Sequence, residues 1–399
     1  MNIMRGINSI PGRLSRVTSS GSFISEVDGL RFVAIMPVLI QHLSERLHRY
    51  SDINWARPVA EDPVAFLASR GTIGVYIFFA ISGFILCLPF AKHHLLGAPR
   101  VPLRGYLWRR VTRLEPPYLF WMTFFFLVLL AYDPLGIEEL FSHWGYSLVY
   151  LHNLAYADHT PINPVAWSLE IEIQFYLLAP FLAAFFFSVE RTGWRRFLLA
   201  ASIVGFIGLQ HLFGWLALPF KLSLLGQLQH FLVGFLMADL YLTRWAAAPE
   251  RQYRLLDAAA VLAFFTLCFS WSEEWGKTIV FALALALLFW AGLRGKAFNA
   301  FLRNPWVAAI GGMCYTIYLI HLPLIEGIIR FSRHLKWTNG FGPNLLLQAA
   351  AVLPVVLAVS AVFYLLLEKP FMDKYWPVKL ASWFKGKGRA ALSYKKADP

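Results

Sequence analysis

The 399-residue chain is 58% apolar and 17% aromatic but only 15% charged, with a mean hydropathy of +0.54. Soluble proteins carry about 25% charge, so this composition excludes a soluble globular enzyme, a nucleic-acid binder and a disordered chain. The formal charge of +13, from 36 Lys and Arg against 23 Asp and Glu, is read first as membrane topology.

Residues 71–91, 197–220, 304–325 and 337–367 hold no Asp, Glu, Lys or Arg, and about 20 apolar residues cross the hydrocarbon core as a helix. In chain order, the pattern predicts a short cytosolic lead-in over 1–28, with Arg5, Arg13 and Arg16 but without the apolar core of a signal peptide. Ten spans follow, over 29–47, 71–91, 116–132, 166–188, 197–217, 222–242, 255–271, 276–293, 306–328 and 344–367. The first ends in Ser44-Glu45-Arg46, and the seventh and eighth read equally well as a hairpin. A basic cytosolic tail covers 372–399. The predicted fold is thus all-α: one integral-membrane bundle over 29–371, with both termini cytosolic. This arrangement puts 26 of the 36 basic residues on the cytosolic side and nine outside, with Arg31 at the edge of the first span. A wrong count would scramble that bias. The outer loop 133–165 has no Lys or Arg but carries Asp133, Glu138, Glu139 and Asp158. Cys87, Cys268 and Cys314 lie in apolar segments, without metal or disulfide spacing, and are read as inert buried thiols.

Ionisable groups inside spans are costly and therefore mark functional candidates. The first span has Asp28-Gly29-Leu30-Arg31 at one end and His42 further along. Eleven residues are about three helical turns, so Arg31 and His42 share a face about 16 Å apart along the axis. The structural alternative is a snorkelling Arg and a His bonded to a neighbouring helix. The fourth span begins Trp167-Ser168-Leu169-Glu170-Ile171-Glu172-Ile173-Gln174-Phe175-Tyr176. Ser168, Glu172 and Tyr176 share one face and Glu170 and Gln174 another. The ninth carries Tyr318 and His321 just before Pro323; its alternative is a structural His beside a proline irregularity. His152 and Asn153, ahead of Asn163-Pro164, are placed to line the same outer mouth. His211 and His230, also inside spans, are read as satisfied core histidines. On the cytosolic side, Arg104, Arg109, Arg110 and Arg113 form a cluster suited to phosphate, with the ordinary positive-inside flank as the alternative. In the second span, Gly74 to Phe84 sets small residues for close helix packing, and Ser82 and Gly83 could also admit a ligand chain.

No metal-ligand spacing, Gly-rich phosphate loop or nucleophile elbow is present. What remains is a buried His able to act as general base on a hydroxyl, with arginines able to hold a phosphorylated donor. Acyl-coenzyme A fits that donor, because its pantetheine arm is long and thin enough to carry a thioester from the depth of Arg31 towards that of His42.

The motifs then resemble a known family, the membrane acyltransferase-3 O-acyltransferases, over nearly the whole chain. Asp28-Gly29-Leu30-Arg31 with His42 resembles its first motif, and Gly74–Phe84 its second-span pattern around Ser82-Gly83-Phe84. Arg109–Tyr118, Trp167–Tyr176, Tyr315–Pro323 and Glu368-Lys369-Pro370-Phe371 resemble the others, in order. The resemblance implies that Arg31 and His42 are essential and that acetyl-coenzyme A is the usual donor, with no permanently bound cofactor. It also implies about ten spans, a hydroxyl of a surface polysaccharide, lipopolysaccharide or lipid-linked sugar as acceptor, and the bacterial cytoplasmic membrane as location. Two departures stand out. Glu172-Ile173 replaces the paired glutamates of many members, with Glu170 as the extra carboxylate. After Phe371 there is only the basic tail where some members have a soluble hydrolase-like domain, so transfer is expected to finish in the membrane or pass to a separate protein.

The expected mechanism has Arg31, Arg109, Arg110 and Arg113 holding the coenzyme A phosphates and His42 deprotonating the acceptor. Glu172 or another outer-half polar group orients His42 or the sugar, with His321 as a second candidate for either task. Glu170, His152, Asn153, Trp167, Ser168, Tyr176, Tyr318 and His321 are candidate acceptor contacts. Direct transfer is favoured, because no Ser or Cys is visibly paired with His42. The alternatives are a small hydroxylated acceptor such as a macrolide, a flippase for lipid-linked sugar, or a sensor without catalysis. No metal or nucleic-acid partner is expected.

Overall fold

The computed structural model describes residues 10–16, 24–132, 136–245, 252–373 and 376–378. Most of the lead-in with Arg5, Asp133 of the outer loop, and the tail beyond 378 lie outside them. Among the described residues the chain is helical without strands, and a single isolated bridge pairs Tyr253 with Gly295. The main helices are α1 (Ser25–Tyr50), α2 (Pro63–Ala68), α3 (Ile73–Leu96), α4 (Leu103–Tyr132), α5 (Ile137–Leu148), α6 (His152–Tyr156) and α7 (Trp167–Phe187). They continue with α8 (Thr192–Phe213), α9 (Leu224–Leu240), α10 (Leu255–Ser270), α11 (Trp275–Arg294), α12 (Ala297–Leu302), α13 (Pro305–Gly312), α14 (Cys314–Ser332) and α15 (Phe341–Phe363).

All ten predicted spans are helical. Eight helices are long and apolar enough to cross a membrane, which makes the chain an integral membrane protein. Two predicted spans fall short of that length: α9 has 17 residues before it passes into a π turn over Tyr241–Trp245, and α10 has 16. The predicted third span begins too late, since α4 starts at Leu103 and runs through Pro116-Pro117. The ninth is two helices, α13 and α14, divided at Met313.

The prolines explain part of this irregularity. A proline inside a helix has no N–H for the carbonyl four residues before it. Pro116 thus frees the carbonyl of Thr112, which accepts from the Trp376 indole at 2.9 Å. Pro323 frees that of Leu319, which accepts from Asn163 Nδ2 at 3.0 Å. The second bond ties the loop before α7 to α14 at the level of His321.

Close packing of α3 on α9 follows from the small residues in both. A Cβ on Gly83 would lie 2.1 Å from the carbonyl oxygen of Phe231, and one on Gly234 would lie 2.2 Å from that of Ala80. The helices therefore touch backbone to backbone, as the small-residue pattern of the second span predicts. Gly234→Val is expected to cost about 1–3 kcal/mol of stability through overpacking, read as a lower unfolding midpoint of the detergent-solubilised protein. An unchanged midpoint would contradict this packing.

Candidate active site

Two polar constellations, separated by a pair of rings, hold most of the predicted site. The first surrounds a cavity of ≈ 110 Å³ between α1, α3, α4, α7 and α14. Arg16, Arg31, Arg110 and Arg113 line it together with Glu172 and Glu368. Asp28 is buried and accepts from both Arg31 and Arg16, the latter at 2.9 Å. Glu368, fully buried, accepts from the Thr316 backbone N–H at 3.2 Å and hydroxyl at 2.7 Å, and stands 3.8 Å from Arg113. Among the described residues Arg110 forms no ion pair; it sits over the rings of Tyr106 and Tyr176, 5.8 and 5.9 Å from their centroids. The carboxylates thus fix Arg16, Arg31 and Arg113 in place, while Arg110 keeps its donors for a ligand. Guanidinium forks of this kind suit phosphate oxygens.

The rest of the lining carries hydroxyls and the Glu172 carboxylate. Ser82 donates to Glu172 at 2.5 Å, and Ser168 and Tyr318 share a 2.7 Å hydrogen bond between hydroxyls. Tyr318 also reaches the Val165 carbonyl at 2.8 Å. Behind Tyr318 is the buried His321, their ring centroids 5.8 Å apart, and His42 follows 5.2 Å from His321. Nδ1 of His321 faces the carbonyls of Tyr318 at 2.8 Å and Ile317 at 3.1 Å. It is therefore the protonated nitrogen, and Nε2 is left as a buried acceptor without a partner among the described residues.

His42 itself is outside the cavity wall, in the second constellation. Its Nδ1 is 3.1 Å from Glu45 Oε2. Glu45 is held by Gln41 Nε2 and Arg46 Nη1, each at 2.9 Å. Arg46 continues to Glu326 at 3.0 Å, which also accepts from Tyr50. A carboxylate on Nδ1 fixes the imidazole tautomer and leaves Nε2 free to take a proton, the logic of a His–carboxylate pair in nucleophilic catalysis. The orienting carboxylate beside His42 is therefore Glu45, one turn along the same helix, whereas Glu172 belongs to the arginine cavity. Sequence reasoning took Ser44-Glu45-Arg46 only as the end of a span. The i, i+3 spacing of His42 and Glu45 was the available signal.

The remaining predicted residues divide. Ser168, Glu172, Tyr176 and Tyr318 line the cavity together with Arg31, Arg110 and Arg113. Arg109 is exposed on the face of α4 turned away from it. Glu170 is buried elsewhere, accepting the Asn153 N–H at 2.8 Å. Asn153 Nδ2 donates to the carbonyls of Trp167 and Leu222 at 2.8 and 3.1 Å. His152 pairs with His143 at 2.7 Å, and burial together with that neighbour holds it down at about 4. Glu170 and Asn153 thus fasten the 137–163 loop to the bundle while the His152 ring stays within the loop, and Trp167 packs its ring against Phe79 and His159. Arg16, Glu368 and Cys314 were missed as site residues. Cys314 is half-buried in the cavity wall, whereas Cys87 and Cys268 are buried, so the prediction of three buried thiols is corrected for Cys314 in its burial alone. His211 has both ring nitrogens 2.8 Å from carbonyls. His230 is not fully satisfied, because its Nδ1 has no partner among the described residues.

A helical membrane bundle with an arginine-lined cavity and a nearby His–Glu pair defines the class to which comparison with known proteins leads. The chain belongs to the acyltransferase-3 family, whose sequence model, described as an acyltransferase domain, matches residues 24–365. The chain thus carries the family's acyltransferase domain. Among curated relatives, the O-acetyltransferase OatA of Staphylococcus aureus is 25% identical over 335 residues, covering 77% of this chain and 51% of its own. The peptidoglycan O-acetyltransferase OatA of Listeria monocytogenes is 29% identical over 185 residues, 42% of this chain and 25% of its own. The putative peptidoglycan O-acetyltransferase YrhL of Bacillus subtilis is 29% identical over 180 residues, 41% and 24%. The chain spans about half the length of the S. aureus relative it matches. No solved structure matches.

Proposed function

We propose that the protein transfers an acyl group, most simply acetyl, from acyl-coenzyme A to a hydroxyl of a cell-surface carbohydrate, in the cytoplasmic membrane of a bacterium. Both termini and the arginine cavity face the cytosol in this reading, which keeps all ten helices as spans. The observation that carries it is the juxtaposition of the arginine cavity with a His–Glu pair across the Tyr318 and His321 rings. Phosphates of the donor sit against Arg110, Arg113 and Arg31, and the pantetheine arm runs along the Ser82–Tyr318 wall. The two rings are the partition that must part for the thioester to reach His42. There Nε2 of His42 takes the proton of the acceptor hydroxyl as its oxygen attacks the thioester carbonyl. The carbon–sulfur bond breaks, the thiolate leaves, and the proton passes from His42 to its sulfur, giving free coenzyme A and the ester. Glu45 holds His42 and stabilises the imidazolium in between. Glu172, through Ser82, shapes the arm's path. The relatives' names, which include peptidoglycan O-acetyltransferases, support a glycan acceptor.

Arg110 offers a direct test of donor placement. Arg110→Ala is expected to weaken binding of acetyl-coenzyme A to the purified protein about tenfold, measured by calorimetry. Wild-type affinity in that variant would count against this binding mode.

A further inference from the structure

A second cavity, of ≈ 220 Å³, lies between α3, α9 and α11 and opens at the connecting segments 214–223 and 271–274. Its deepest polar groups are left unsatisfied. The orientation of Gln227 is fixed because its Nε2 donates to the Lys221 carbonyl at 2.9 Å, so its Oε1 is an acceptor without a partner among the described residues. Gln210 donates to Gln229 Oε1 at 2.7 Å, which turns Gln229 Nε2 towards His230 Nε2 at 3.2 Å. His230 Nε2 therefore accepts, and its Nδ1 carries a proton with no acceptor. Gln227 and His230 are only 3% and 5% exposed, so one buried donor and one buried acceptor face the same space at a cost unless something fills it.

The rest of the lining defines what would. Tyr76, Trp271 and Phe281 supply ring surfaces, and Thr278 adds a hydroxyl. Lys221 and Glu273 at the mouth pair with each other at 2.7 Å, so the site offers no surplus charge to a phosphate or a carboxylate. Ring faces carry negative quadrupole charge and suit the weakly positive C–H face of a sugar, while a sugar hydroxyl both donates and accepts, as Gln227 and His230 require. The cavity also sits on the catalytic end of the bundle. Tyr76 is one turn along α3 from Thr72, whose hydroxyl donates at 2.9 Å to Gln41, the neighbour of His42.

We propose that this cavity is a subsite for a neutral sugar ring of the acceptor glycan, one that anchors the chain beside His42 without itself being acylated. The assignment rests on the acceptor being a glycan. The test uses the full chain in lipid nanodiscs, with chitotetraose and maltotetraose as probes, read by calorimetry. The wild type is expected to bind at least one of them, and Gln227→Leu and Trp271→Ala each to weaken that binding about tenfold, the size of a lost hydrogen bond or ring contact. Trp271 lies at the end of α10, beside the loop, so its variant keeps the test valid if Gln227→Leu fails to fold. Binding of neither sugar by the wild type, or wild-type affinity in both variants, would overturn the subsite. If binding behaves as expected but no hydroxyl is esterified, the transferase reading fails and the subsite stands. If the sugar is esterified with the same acceptor KM in wild type and variants, the reverse holds.

Discussion

His42→Ala is expected to lower acyl transfer by about 10²–10⁴, the range a positioned general base contributes, with membrane insertion and unfolding midpoint unchanged. The side chain is partly exposed, and among the described residues its polar contact is to Glu45, so its removal leaves no buried group stranded. The check is coenzyme A release in the presence of a glycan acceptor, measured with the purified variant. Glu45→Gln should reduce transfer in the same direction but less, since the amide can still accept from Nδ1 while losing the charge that stabilises the imidazolium. A His42→Ala rate near wild type would remove His42 from the mechanism, and His321, with its unpartnered Nε2, would then be the base to test.

Glu368→Ala is expected to be the most damaging single change to the fold at the site, costing about 3–5 kcal/mol, the range for removing one partner of a buried ion pair. Two losses combine. Arg113 is left without its carboxylate, and the Thr316 N–H and hydroxyl lose the oxygen that joins α14 to the segment after α15. The unfolding midpoint in detergent should fall, and the KM for the donor should rise as Arg113 loses its anchor. Glu368→Gln keeps an acceptor for Thr316 and should recover part of the stability but not the donor KM. An unchanged midpoint for the Ala variant would show that the pair is not structural.

The bundle was largely legible in the sequence because its lengths are set by the bilayer, and uncharged runs such as 337–367 are read directly. Boundaries failed where local chemistry departs from hydropathy. The basic flank of α4 is helical although it is polar, and α13 and α14 break at Met313 with no proline there. At the site, the sequence brought out Arg31, Arg110, Arg113, Glu172, Ser168, Tyr176 and Tyr318, since polar residues inside apolar helices stand out. Helical spacing sets Glu170 and Glu172 on different faces but does not say what each face meets: Glu172 lines the cavity and Glu170 takes the Asn153 backbone N–H. Nor could it join Glu368 to Arg113 or Arg16 to Asp28, because those contacts cross the fold. His230 was misread although Gln227 stands three residues before it at helical spacing, because the rest of the cavity it faces comes from α3, α11 and the segments 214–223 and 271–274.

In the proposed mechanism a coenzyme A thioester bound at the arginines supplies the group that His42 transfers outward. The decisive experiment uses proteoliposomes containing the protein in one orientation, with [acetyl-¹⁴C]acetyl-coenzyme A added to one side and a glycan to the other. Ester-linked label is expected on the glycan only when the donor meets the face bearing Arg110 and Arg113, and none with His42→Ala. Label transferred from the opposite face, or transfer that survives loss of His42, would contradict it.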